Sequence, residues 1–210
     1  MNLPALLRDF GISFIFLAFA MSVHEFAHGW LAHILGDQTA KNSGRLTLNP
    51  LAHIDPLGTF ILPLTLFLAT NGNFIFGSAK PVPINFNALR NPKKDIIWIG
   101  VSGPLANLFL AFFLTILWKA IPYHSPQINV IFLNFIIINI LLGVFNLIPI
   151  PPLDGSRVIS GFLPANLARK YAMIEPFGFI IILFLFWFKI FHIIVWPVIA
   201  GLIKLLGITA

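Results

Sequence analysis

The sequence predicts an all-α integral membrane protein, a multi-pass helical bundle with one short re-entrant or partly inserted segment near residues 58–70. Of its 210 residues, 58% are hydrophobic and 10% charged, with a mean hydropathy of +0.92, so a water-soluble globule would have nowhere to hide its apolar surface. The apolar residues also run in stretches long enough to cross hydrocarbon, which takes roughly 20 helical residues at about 1.5 Å each. There is no Ser/Gly-rich linker, charge run or internal repeat, so residues 1–210 read as a single membrane-embedded domain.

The first stretch, residues 11–35, contains His24-Glu25-Phe26-Ala27-His28. It is too long for the apolar core of a secretory leader and has no small-residue cleavage site behind a short core, so it is expected to be retained. On a helix, His24 and His28 share a face and offer two imidazoles to one ion, with Glu25 beside them as a candidate general base. The bland alternative is a buried Glu–His pair. Ionisable groups in a span are costly and mark function, which favours the metal.

Residues 58–70 form the second apolar stretch and are too few to cross. Residues 96–121 follow as a span, with Trp98 and Trp118 about 30 Å apart along the helix, one at each interface. Residues 128–148 are another span. Residues 176–206 exceed one crossing and are interrupted by Lys189, His192 and Pro197, so a span followed by a second short helix is expected there.

Lys41, Arg45, Lys80, Arg90, Lys93, Lys94, Arg157, Arg169 and Lys170 lie in three connecting regions. If residues 58–70 do not cross, all three regions fall on one face, with Arg8 and Lys119 opposite. Cytoplasmic loops collect such residues, so the expectation is a multi-pass protein of the cell membrane with its N-terminus outside. The net charge of +6 comes with no basic cluster interleaved with surface aromatics, which argues against nucleic acid as a partner. With no cysteine, any metal must be held by His, Asp or Glu.

A catalytic zinc commonly has three protein ligands, so His24 and His28 need a partner. Asp154 is the best candidate. It closes the run Phe145-Asn-Leu-Ile-Pro-Ile-Pro-Pro-Leu-Asp154, in which Pro149, Pro151 and Pro152 end regular helix just beyond a span. Irregular backbone at membrane depth is tolerated where protein or a water-filled cavity satisfies it, and such a cavity would admit hydrolytic water. The alternative is a turn-forming Asp before Gly155.

The sequence resembles a compact member of the site-2 protease family of intramembrane zinc metalloproteases over most of its length. The resemblance rests on His24-Glu25-Phe26-Ala27-His28, on Ser102-Gly103-Pro104-Leu105-Ala106-Asn107, and on the stretch from Asn146 to Gly155 containing Leu153-Asp154-Gly155. It implies a three-helix catalytic core around one Zn2+ per chain, with His24, His28 and Asp154 as ligands and Glu25 activating water. It also implies that Asn146 holds substrate or the developing oxyanion. The implied substrate is a transmembrane protein or peptide within the lipid bilayer, unwound near the cut, with the active site toward the cytoplasmic side. The sequence does not specify an oligomeric state.

The remaining polar residues have weaker signals. His53, in Asn49-Pro-Leu-Ala-His53-Ile-Asp55, reads as a loop residue, with orientation of a metal-bound group from behind as its functional alternative. Asn107 reads as an interhelical packing residue, with Gly103 permitting close helix approach. Residues 74–85 read as an interface loop that could pair with an unwound substrate, and Lys189 and His192 as snorkelling groups. Rival classes are a cation transporter and a non-proteolytic scaffold. Glu25 beside a three-ligand set favours hydrolysis over both.

Overall fold

A computed structural model describes residues 3–69, 77–122 and 125–208, and among these the regular structure is entirely helical. Helix α1 (Leu3–Ile34) carries the apolar N-terminal stretch and ends where Gly36 turns to a φ of 117°, with the Asp37 amide reaching back to the Ala32 carbonyl at 2.9 Å. A left-handed residue there closes off the last carbonyls, and glycine takes that conformation without a Cβ penalty. Asp37 is fully buried and accepts hydrogen bonds from the Thr39 amide (2.9 Å) and the Asn85 amide (2.8 Å). It therefore ties the end of α1 and the single-turn α2 (Thr39–Asn42) to a segment far along the chain.

A 3-10 turn, Pro50–His53, leads to a wide turn, Pro56–Ile61, capped by Asp55, whose Oδ2 accepts from the Gly58 amide at 2.6 Å. That turn runs into α3 (Leu62–Ala69). The two pieces have six and eight residues, together about 20 Å of helix, short of the roughly 30 Å of a hydrocarbon core. The chain returns as an extended strap over residues 77–85. Its Ser78 amide bonds the Gly58 carbonyl and its Lys80 amide bonds the His53 carbonyl, each at 2.9 Å. Residues 74–76 of the expected loop lie outside the described residues.

The centre of the bundle is α4 (Pro92–Ala120), against which α1, α5 (Pro126–Asn146) and α6 (Asp154–Phe162) all pack. Small residues set the close approaches. A Cβ on Gly100 would stand 3.0 Å from the Asp154 carbonyl, and one on Gly161 would stand 3.0 Å from the Lys93 carbonyl, so α6 lies directly on the first half of α4. Phe16 stacks on Phe135 with centroids 4.8 Å apart, joining α1 to α5. Ala111, Leu114, Ile136, Ile140, Val195 and Ile199 belong to the largest buried cluster among the described residues, in which α9 (Ile190–Leu205) meets α4 and α5. Beyond α6 come α7 (Ala165–Ala172) and α8 (Gly178–Trp187).

Three described helices are long and apolar enough to cross a membrane: Phe10–Ile34 of α1, α4 and α5, with 25, 29 and 21 residues. This is an all-α membrane protein. The C-terminal stretch departs from expectation. Lys189 adopts a left-handed φ of 57° and divides it into α8 and α9, of 10 and 16 residues, so neither half reaches the length of a crossing.

Candidate metal centre

Three elements bring the centre together. His24 and His28 are one turn apart on α1, and their Nε2 atoms lie 3.1 Å from one another. Asp154 opens α6, and its Oδ2 lies 2.8 Å from His24 Nε2 and 3.1 Å from His28 Nε2. Two successive turns put it there. Within residues 147–153 the Ile150 amide bonds the Ile148 carbonyl at 2.8 Å and the Leu153 amide bonds the Ile150 carbonyl at 2.9 Å, with a cis peptide between Pro151 and Pro152. All three side chains are buried.

The far sides of the imidazoles determine what the near sides offer. His28 Nδ1 lies 2.7 Å from the Ile99 carbonyl on α4, which only accepts, so the proton is on Nδ1. His24 Nδ1 faces Asn107 Oδ1 at 2.6 Å, also an acceptor. Both Nε2 atoms are then left with lone pairs, aimed at each other and at a carboxylate oxygen. Three buried acceptors converging in this way repel unless a cation, either a proton or a metal ion, sits among them.

Their spacing fits a small divalent ion. Tetrahedral zinc with bonds of about 2.0–2.1 Å places its ligand atoms about 3.3 Å apart, and the observed triangle is only slightly tighter. Space is reserved as well. Gly103 of α4 lies beneath the imidazoles, and a Cβ there would stand 2.6 Å from His24 Nε2 and closer still to His28 Nε2. Any side chain at 103 would collide with both imidazole nitrogens that face the centre. From sequence Gly103 reads as permitting close helix approach, because the local motif does not reveal which neighbour it faces.

Glu25 lines the same cavity as the three candidate ligands, and its Oε2 accepts a 2.8 Å hydrogen bond from the Val82 amide of the strap. The cavity has a volume of about 1090 Å3 and a largely apolar wall that includes Leu17, Met21, Ile138 and Phe145. Asn146 also lines it, while its Nδ2 donates to the Leu142 carbonyl of its own helix at 3.0 Å. Arg157 stands 3.4 Å from Asp154 Oδ1, occupying the carboxylate oxygen that does not face the imidazoles. Lys189 and His192, read from sequence as snorkelling groups, line the cavity from the break between α8 and α9.

His53 stands apart from the three candidate ligands. It is buried, its Nε2 donates to the Thr47 carbonyl at 2.9 Å, and its own carbonyl holds the strap at Lys80. Asn107, read from sequence as packing, is hydrogen-bonded to His24 itself. The missing signal is a long-range one, since 83 residues separate the pair.

Known proteins resemble this chain over most of its length. Residues 120–187 match the model of peptidase family M50. The chain is 36% identical over 191 residues to "Putative zinc metalloprotease YwhC" of Bacillus subtilis, a match covering 87% of this chain and 83% of that protein. It is 34% identical over 169 residues to "Putative zinc metalloprotease Rip2" of Mycolicibacterium smegmatis, covering 79% of this chain and 62% of the other. Rip2 of Mycobacterium tuberculosis strain H37Rv is 31% identical over 170 residues, covering 80% and 63%. No solved structure matches significantly.

Proposed function

The chain belongs to peptidase family M50, and from that membership we propose that this zinc metalloprotease cuts peptide bonds in or near transmembrane helices of membrane protein substrates. The observation that carries the proposal is the convergence of His24 Nε2, His28 Nε2 and Asp154 Oδ2 within 3.1 Å of one another, with both Nδ1 atoms facing acceptors. These three residues hold one Zn2+ per chain. Zinc bound there supplies Lewis acidity to the scissile carbonyl and acidifies water.

The chain's own residues carry the remaining work. Glu25 is the general base. With Oε2 held by the Val82 amide, its Oε1 is free to take the proton of the attacking water and return it to the leaving amine. Hydrolysis then needs no covalent enzyme intermediate. Asn146, on the cavity wall, contacts substrate or the developing oxyanion. His53 acts at one remove, bracing the strap two residues before Val82.

The apolar cavity wall suits a substrate segment drawn from lipid, and the scissile segment must leave its helix, since helical hydrogen bonding shields its carbonyl. The protein is multi-pass in the cell membrane, with the centre toward the cytoplasm. Support comes from Arg45, which donates to the Lys80 carbonyl at 2.7 Å, and from the Arg90 amide, which bonds the Leu35 carbonyl at 3.1 Å. Those contacts gather basic loops at the end of α1 nearest the zinc ligands.

The test is reconstitution with candidate membrane peptides and mass analysis of products with and without chelator. Glu25→Gln is expected to keep zinc and lose cleavage by about 100-fold or more. Unchanged cleavage by that variant would remove Glu25 from its role.

A further inference from the structure

His24 is the last member of an amide chain that crosses three helices. Asn107 on α4 offers Oδ1 to His24 Nδ1 at 2.6 Å, and its Nδ2 lies 2.9 Å from both the Ala20 carbonyl of α1 and Asn139 Oδ1 of α5. Asn139 Nδ2 donates in turn to the Phe135 carbonyl at 2.9 Å. Both asparagines are completely buried, so water cannot substitute for any partner.

The direction of every bond in this chain follows from its two backbone ends. A main-chain carbonyl only accepts, so Phe135 requires the NH2 end of the Asn139 amide and turns its oxygen toward Asn107. Ala20 and Asn139 then present two acceptors to Asn107, which uses both amide protons and turns its own oxygen toward His24. An amide oxygen cannot donate, so Asn107 holds a His24 proton on Nδ1 and leaves Nε2 as the nitrogen that faces the centre.

We propose that Asn139 is a positioning residue for the metal: acting through Asn107, it selects the His24 tautomer that leaves Nε2 free to ligate. Asn139 sits on α5, which carries none of the candidate ligands. The proposal rests on the zinc assignment above. A rival role, plain interhelical adhesion, would change stability but neither tautomer nor metal affinity.

The test uses the full-length protein in detergent, with zinc alone as the probe. Zinc affinity is measured by competition with a chromophoric chelator, and the His24 tautomer by nitrogen NMR of the metal-free protein labelled at histidine. Asn139→Leu, of similar bulk but without an acceptor, is expected to weaken zinc binding by about 10-fold or more and to mix the two tautomers. Asn139→Asp keeps the acceptor, and its neutral acid keeps a donor for Phe135, so it is expected to stay within about 3-fold of the unmodified protein, below the roughly 10–100-fold typical of lost outer partners. If leucine is not accommodated, Asn139→Ala removes the acceptor without adding bulk and serves in its place.

Unchanged affinity and tautomer in the acceptor-free variant would overturn the proposal. So would an Asn139→Asp variant as impaired as Asn139→Leu, because metal affinity would then be lost with both the acceptor and the side-chain size retained. Failure of the underlying assignment looks different: the unmodified protein would hold no zinc, or His24→Ala would bind it equally well.

Discussion

The Glu25 carboxylate is held in the cavity by the main chain of Val82, whose N–H donates to Oε2 at 2.8 Å from a strap 57 residues away in sequence. The strap has few amides to offer there, because Pro81 and Pro83 flank Val82 and have no N–H. Val82 is itself buried, and its Cγ1 lies 3.0 Å from where a Cβ on Gly29 would stand, so the strap is seated on α1 one turn beyond Glu25.

That contact makes Val82 a separable control on the proposed base. Val82→Pro deletes the N–H and is expected to lower kcat by about 10- to 150-fold, in line with roughly 1.5–3 kcal/mol for a hydrogen bond to a charged group, while zinc content is unchanged. Val82→Ala keeps the N–H and is expected to retain most of kcat. Turnover of a membrane peptide and metal analysis of the same preparations check both, and equal turnover by the two variants would detach the strap from the base.

Gly103→Ala is expected to abolish zinc binding, because the added methyl would stand 2.6 Å from His24 Nε2. The same change favours an α-helix by about 1 kcal/mol, so loss of metal should come without loss of helix. Metal analysis and circular dichroism on one sample separate the two effects. Stoichiometric zinc in the variant would show that the ion lies elsewhere.

Asp37 gives the fold an acid limit. Burial by itself would raise its carboxyl, but bonds from the Thr39 hydroxyl, the Thr39 amide and the Asn85 amide more than offset this and hold it below the usual 3.8. A carboxylate with a depressed folded value contributes stability that is complete above the unfolded value and is lost as pH falls through the folded one. Asp37→Asn is therefore expected to cost about 1–3 kcal/mol above roughly pH 4, with the deficit shrinking in more acid solution. Thermal unfolding of both proteins from pH 3 to 7 measures it, and a deficit that grows toward low pH would contradict the assignment.

Much of the architecture is visible in the linear order of residues. Hydropathy locates α1, α4 and α5, because lipid tolerates only long apolar helices, and length alone marks residues 58–70 as too short to cross. The spacing of His24 and His28 places both on one helical face whatever surrounds them. The C-terminal stretch is legible only in part: Lys189 marks the interruption in it, but hydropathy carries no record of the left-handed dihedral there that leaves both halves too short to cross.

What the sequence determined by itself is periodic or compositional: which segments are apolar, and which residues share a helix face. Tertiary structure alone decided how groups 57 to 130 residues apart meet, as in Glu25 with the Val82 amide and His24 with Asp154. It also decided that Gly103 lies under the imidazoles and that Asn107 and Asn139 orient His24. The physical reason is directional. A hydrogen bond or a coordination shell depends on angles and on distances of about 3 Å, and these exist only once helices have packed.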